Sequence, residues 1–284
     1  INYHKKFLLR SLILIFAISF LYSCLQAQPY VDPLNIRYTH AFRNDGAFAT
    51  QHQHLYIGSD LPLKLKTNTY LLLSPFYERW AIDSGSKKDI VPTVQSLALP
   101  VGLIFPLKNK WSMTLMGIVR TNGETLFGMK SLQVGGTAFT SYAAAPEKKF
   151  RFGFYVNSDF FGFFFMPLLG TDWRIDKKNY VFGLLPGRLT WEHQWSPKLY
   201  GGLTFRAITN SFRLTQNQYL RLDDNQLSAF VDFYPVKRFC LTLEPGYGLL
   251  RKIRTGMDKR NYVMIKNWGD GAFIKVSGSY RVRL

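Results

Sequence analysis

Residues 272–284 read AFIKVSGSYRVRL, an alternation kept without a break to the last residue given. Successive side chains of an extended strand point to opposite faces. Ile274, Val276, Gly278, Tyr280, Val282 and Leu284 therefore share one face, and Lys275, Ser277, Ser279, Arg281 and Arg283 share the other. One face is apolar and the other strongly cationic. Terminal residues usually fray unless something holds them, so a pattern this regular predicts a strand that is paired up to Leu284.

The same dyad recurs along the chain. In LNIRYTHAF, Leu34, Ile36, Tyr38, His40 and Phe42 oppose Asn35, Arg37 and Thr39. In KFRFGFYVN, Phe150, Phe152 and Phe154 oppose Arg151 and Tyr155; Leu203 and Phe205 oppose Thr204 and Arg206; Leu241 and Leu243 oppose Thr242 and Glu244. After residue 27 no apolar run reaches 18 residues, and FFGFFFMPLLG is interrupted by glycine and proline. That excludes helical membrane spans there. Repeated alternation between turn signals instead predicts an all-β chain, a transmembrane antiparallel β-barrel.

Lys5, Lys6 and Arg10 precede an apolar run from Leu12 to Tyr22 and then small or polar residues. This is the order of a secretory signal peptide. Cleavage after Ala27 would divide the chain into a signal peptide, 1–27, and one barrel domain, 28–284. A competing reading takes LYSC as a lipobox with Cys24 lipidated, which the bulky Tyr22 disfavours. The formal charge of +18 falls to +15 once the three signal-peptide cations are removed. An exported protein meets no nucleic acid, so the positive balance points to outer-membrane lipid, lipopolysaccharide or anionic solutes. Cys240 is then the sole cysteine, and no disulfide framework is expected.

Short turn signals (66–68, 107–110, 146–149, 176–179, 196–198 and 235–238) broadly alternate with longer polar stretches at 82–90, 121–130, 216–226 and 251–271. Tight turns at one rim and loops at the other are what a barrel gives. Thirteen or fourteen candidate strands can be counted. Splitting NYVFGLLPGRLTWEHQW at Pro186-Gly187 gives fourteen and merging short runs gives twelve, so the expected range is 12–14. LPVGLIFPLKNKWSMTL and MPLLGTDWRIDKKNYVFGL share a proline, a glycine, a basic turn and a following aromatic, which shared turn chemistry explains.

The stretches LPVGLIFPLKNKW and PLLGTDWRIDKKNYVFGLLPG, with the alternating C-terminal strand, resemble an uncharacterised family of Gram-negative outer-membrane β-barrels known only as a domain of unknown function. The resemblance implies an integral outer-membrane location and assigns no functional residue. Gly278, Tyr280, Val282 and Leu284 also resemble the C-terminal signal read by the barrel insertion machinery, with leucine where that signal commonly ends in an aromatic residue.

The histidines after residue 27 are His40, His52, His54 and His193. A site built from the first three is disfavoured, because His40 lies on the apolar face and His52 and His54 on the opposite one. His193 lies between Trp191 and Trp195, an aromatic-belt pattern, and Trp80, Trp111 and Trp173 also fall near turns or strand ends. No GxSxG, HExxH or P-loop motif is present, so neither a catalytic residue nor a metal or other cofactor is expected. Alternation sends Arg37, Arg151, Arg206, Lys275, Arg281 and Arg283 inward together with Glu192, Asp232 and Glu244. Six cations against three acids predict a lumen biased towards anions. The reading is a passive channel or substrate-binding transporter for small solutes with a weak anion preference, gated by 251–271 with Trp268. The alternatives are a structural or interaction barrel whose lumen is closed by ion pairs and, behind it, an outer-membrane lipid-modifying enzyme.

Overall fold

The computed structural model describes residues 29–43, 51–83, 91–128, 130–257, 261–267 and 269–284. The expected signal peptide, Cys24 and Trp268 lie outside them.

After β1 (Tyr30–Ala41), β2 (Gln51–Gly58) and β3 (Leu61–Lys66) are the halves of one wall strand, both paired to the strand made of β4 (Thr69–Leu73) and β5 (Phe76–Asp83). β6 (Val94–Pro106), β7 (Trp111–Gly123), β8 (Leu132–Ala145), β9 (Lys148–Asp159) and β10 (Gly162–Arg174) follow as antiparallel neighbours. Next come β11 (Asn179–Leu185), β12 (Arg188–Ser196) and β13 (Leu199–Arg213), then β14 (Tyr219–Val236) and β15 (Phe239–Gly256). β16 (Tyr262–Asn267) and β17 (Gly271–Arg283) both pair with β15 as the halves of the last strand. β1 pairs with β17 from Tyr30↔Arg283 to Ala41↔Phe273, which closes the sheet into a 14-stranded barrel. The split at Pro186-Gly187 is real: it is the turn between β11 and β12.

The terminal strand is held to its end. Leu284 donates its backbone N–H to the carbonyl of Pro29 at 3.0 Å. Closure leaves no free edge along the seam. The six short turn signals all fall at the rim that carries the termini, the periplasmic rim by the usual order of such barrels.

Alternation decides the two surfaces. Leu97, Leu99, Val101 and Leu103 stand exposed on the outer wall, as do Phe150, Phe152 and Phe154, whereas Ser96, Arg151 and Glu192 are buried within the barrel. Trp111, Trp173, Trp191 and Trp195 are exposed on the outer surface. Trp80 is not among them. It shares its face with Glu78 and Ile82, so it points into the lumen with 0 % exposure and stacks on His54 at 3.8 Å between ring centroids. Val282 lies between the inward Arg281 and Arg283, on the outer side as expected, but is only 5 % exposed in a cleft by the turns at 197–198 and 237–238.

Two expected loops are walls. Residues 219–226 belong to β14, and the 251–271 stretch holds the upper end of β15, all of β16 and the start of β17. The long-loop gate is therefore replaced by a hairpin that extends the barrel. Polar residues there misread as loop because a bulge flips the alternation. Leu250, at φ 53°, and Arg251 stand opposite the single residue Asp224, so lumen-facing positions are even up to Gly248 and odd from Arg251.

The outer mouth is crossed by a different segment. The upper half of β13, still paired with β14 as far as Arg213↔Tyr219, reaches β7 across the mouth, where Arg213 is bridged to Gly123 in parallel and its carbonyl accepts from the N–H of Glu124 at 3.1 Å. Asn210 donates to Glu78 on β5 at 2.8 Å, and Ser211 to Asp159 on β9 at 2.8 Å. Phe212, fully buried, packs with Trp80, Ile82, Val94, Leu220, Leu222 and Ile253 into an apolar cap.

Candidate functional site: the charged lumen

Every charge that alternation sent inward lies on the lumen side, but most of them are paired. Arg281 on β17 donates from Nε and Nη2 to both oxygens of Asp32 on β1 (2.6 and 2.8 Å), and from Nη1 to Asp232 on β14. Arg283 makes a bidentate pair with Glu192 (2.7 and 3.0 Å) and donates Nε to the Tyr234 hydroxyl at 2.9 Å. Its guanidinium also lies 3.4 Å from the Tyr200 ring centroid. These groups form a cross-linked layer near the periplasmic rim. Higher up, Glu244 accepts from Lys275 Nζ and Ser228 Oγ, each at 2.6 Å. Arg151 is bonded to Asp172. The count of six cations against three acids therefore overstated the free charge, because Asp32 and Asp172 also face inward.

Other lumen pairs went unread. Arg120 joins Asp159 at 3.3 Å and Gln133 at 2.7 Å, and Arg251 donates to Asp224 at 2.8 Å. Arg120 was legible, since it is out of phase with the exposed Val119. Arg251 was not, because the bulge at Leu250 reverses its face.

Two of the predicted cations, Arg37 and Arg206, have no ion pair among the described residues, and neither has Arg188, which alternation with Glu192 could have found. All three line one cavity of about 450 Å³ inside the barrel. Arg188 and Arg206 are direct cross-strand partners on β12 and β13. Like charges so placed repel, since directly opposed side chains have Cβ atoms roughly 5 Å apart. Arg37 lies over the Tyr56 ring at 4.6 Å and Arg188 over Phe182 at 5.6 Å, contacts that orient the guanidinium planes without neutralising them. Thr190 and Thr204, hydrogen-bonded to each other at 2.9 Å, also line the cavity.

The histidines separate as alternation requires. His52 and His54 are buried inside, His54 against Glu78 at 3.0 Å, while His40 packs on Phe42 with ring centroids 5.1 Å apart. His193 is hydrogen-bonded to Asn179 at 2.8 Å beside Trp191 and Trp195. No group of three metal-ligating side chains occurs among the described residues.

No family model and no curated protein matches the chain. Among solved structures it is similar to an outer membrane channel from Pseudomonas putida F1, at 8 % identity and a TM-score of 0.50, covering 92 % of this chain and 98 % of that one. It also aligns with the NanC porin at 10 % identity and a TM-score of 0.40, covering 88 % of this chain and 100 % of that one. The translocator domain of the autotransporter NalP from Neisseria meningitidis aligns at 10 % identity and a TM-score of 0.39, covering 99 % and 98 %. The class follows from the closed sheet and its apolar outer wall: the chain is a transmembrane β-barrel of the outer-membrane type.

Proposed function

We propose that this barrel is an outer-membrane transporter that binds small anionic solutes in its lumen. The observation that carries the reading is the cavity with Arg37, Arg188 and Arg206, three guanidiniums held together without a carboxylate partner among the described residues. An anion there would relieve the Arg188–Arg206 repulsion and accept bidentate hydrogen bonds. Guanidinium N–H groups facing a cavity in a low-dielectric wall are a recurring device for anion selection. Insertion by the assembly machinery through Gly278, Tyr280, Val282 and Leu284, and contact of the basic surface with lipopolysaccharide, belong to the same reading.

The second reading is a structural barrel whose lumen is closed. The Arg281 and Arg283 networks and the Phe212 cap favour it. The cavity of about 450 Å³ between those two layers argues against a lumen that is merely filled. Lipid-modifying catalysis has less support, because His54 is engaged by Glu78 and Trp80, and His193 by Asn179.

Planar-bilayer recording in a salt gradient tests the proposal. An anion-selective reversal potential is expected, moving towards cations in Arg37→Glu with Arg206→Glu. Arg151→Glu would instead break the pair with Asp172. A membrane that stays silent even when the cap is loosened by Phe212→Ala would favour the structural reading. A cation-selective pore would reject the arginine site.

A further inference from the structure

The barrel wall is incomplete in its upper half. The β11–β12 hairpin is seven residues up and nine down, beside the 13 residues of β10 and the 15 of β13. At about 3.4 Å per residue and a tilt of roughly 45°, seven residues climb only about 17 Å of an apolar band about 25 Å tall. The register places the shortfall. Leu185 at the hairpin tip is the partner of Leu169, and Arg188 is the partner of Arg206. Above them no described strand pairs with β10 over Gly162–Leu168 on that side, or with β13 over Ile208–Phe212. The apolar outer face of β10 nevertheless continues upward through Phe165 to Phe163, so the opening lies within the band.

Two further features fit an opening. Pro167 falls within the unpaired length of β10; proline has no N–H to give a partner, and in sheets it is confined to edges and bulges. Above this height β13 leans towards the lumen, and Ser211 accepts from the backbone N–H of Phe160 at 3.2 Å and donates to Asp159, so the β9–β10 turn bounds the opening from above. Open sheet edges do not face hydrocarbon, and such backbone is tolerated where it lines a cavity. The arginine cavity extends there: Gly187 at the hairpin tip and Ala207, Ile208 and Thr209 on β13 line it together with Arg37 and Arg206. The inner side of β10 at the notch carries Phe164, Met166 and Leu168. An apolar rim thus leads from the outer leaflet to the chamber in which Arg37, Arg188 and Arg206 stand without an ion pair among the described residues, under the Phe212 cap.

We infer that this notch is a lateral portal, and that the solute is an amphiphilic anion whose alkyl part passes between β10 and β13 while its carboxylate or phosphate meets Arg206, Arg188 and Arg37. The inference rests on the anion-binding reading of the cavity and narrows its substrate class.

A ten-carbon carboxylate with a diazirine near the tail end is the probe. It is photolysed with the full barrel in lipid nanodiscs, and the adducts are mapped by mass spectrometry. Adducts are expected on 162–168 and 205–209, falling about tenfold in Met166→Trp and in Leu168→Trp. Two notch variants are used in case one fails to fold, each checked by heat-modifiable gel mobility. Both should keep the wild-type reversal potential in chloride, whereas Arg206→Glu should lose the adducts and shift the potential. Adducts spread evenly over the outer wall, or unchanged in both notch variants while the pore stays anion-selective, would overturn the portal and leave the anion site standing. A cation-selective pore with adducts that survive Arg206→Glu would overturn the anion site and, with it, the assigned substrate class.

Discussion

Arg281→Met should be among the most damaging single changes to this barrel. Arg281 is 6 % exposed and joins β17 to β1 and to β14 through Asp32 and Asp232, the latter 1 % exposed. It spans the seam at which the sheet closes. Its guanidinium also lies 3.7 Å from the Tyr30 ring centroid. Methionine keeps much of the volume but leaves carboxylates buried without their cation. Removing one partner of a buried pair costs about 3–5 kcal/mol, because the remaining charge is uncompensated. At about 1.4 kcal/mol per factor of ten, that is a loss of roughly 10² to 10³·⁵ in the folding equilibrium. Adding Asp32→Asn and Asp232→Asn removes the stranded charges, so the triple variant should recover most of the loss. Urea unfolding in lipid vesicles, followed by tryptophan fluorescence and heat-modifiable mobility, measures both. A single variant within about 0.5 kcal/mol of wild type, or a triple variant no better than the single, would refute the assignment of the seam to this network.

Phe212→Ala should cost about 3–5 kcal/mol by emptying the cap and should raise single-channel conductance; unchanged conductance would mean that β13 does not obstruct the mouth. Gly183 is required within β11, because its φ is 138° and a Cβ there would lie only 2.2 Å from the Arg188 carbonyl oxygen. Gly183→Val is therefore expected to yield a heat-labile barrel, and normal mobility at the wild-type temperature would contradict this. In the exposed turn before β11, hydrogen bonds from the Asn179 side chain, and then from the backbone N–H groups of Lys178 and Asn179, hold the Asp176 carboxyl below the usual range. A depressed folded value means that its contribution is present above the unfolded value and is lost as pH falls through the folded one. NMR of the Asn179 amide should show that loss on acidification and not in Asp176→Asn; a pH-independent signal would exclude it.

The sequence by itself determined the class of architecture and the two surfaces, because side chains alternate with a period of two wherever a strand is regular. Residues 272–284 predicted a strand paired to its end, and Leu284 bonds to Pro29. Alternation also sent Arg37, Arg206, Arg281 and Glu192 inward, and the basic turns marked one rim. What it could not determine is which charges meet. Arg281 finds Asp32 from 249 positions away, and Arg151 finds Asp172 across a strand pair, so the free cations emerge only after the register is fixed. Bulges end the reach of parity: one extra residue at Leu250 turned Arg251 inward and made a wall strand look like a loop. The inward bend of β13 and the shortness of β11 and β12 are relations between strands distant in the chain, which no local pattern records. Those relations close the mouth, open the side and leave Arg37, Arg188 and Arg206 facing one cavity.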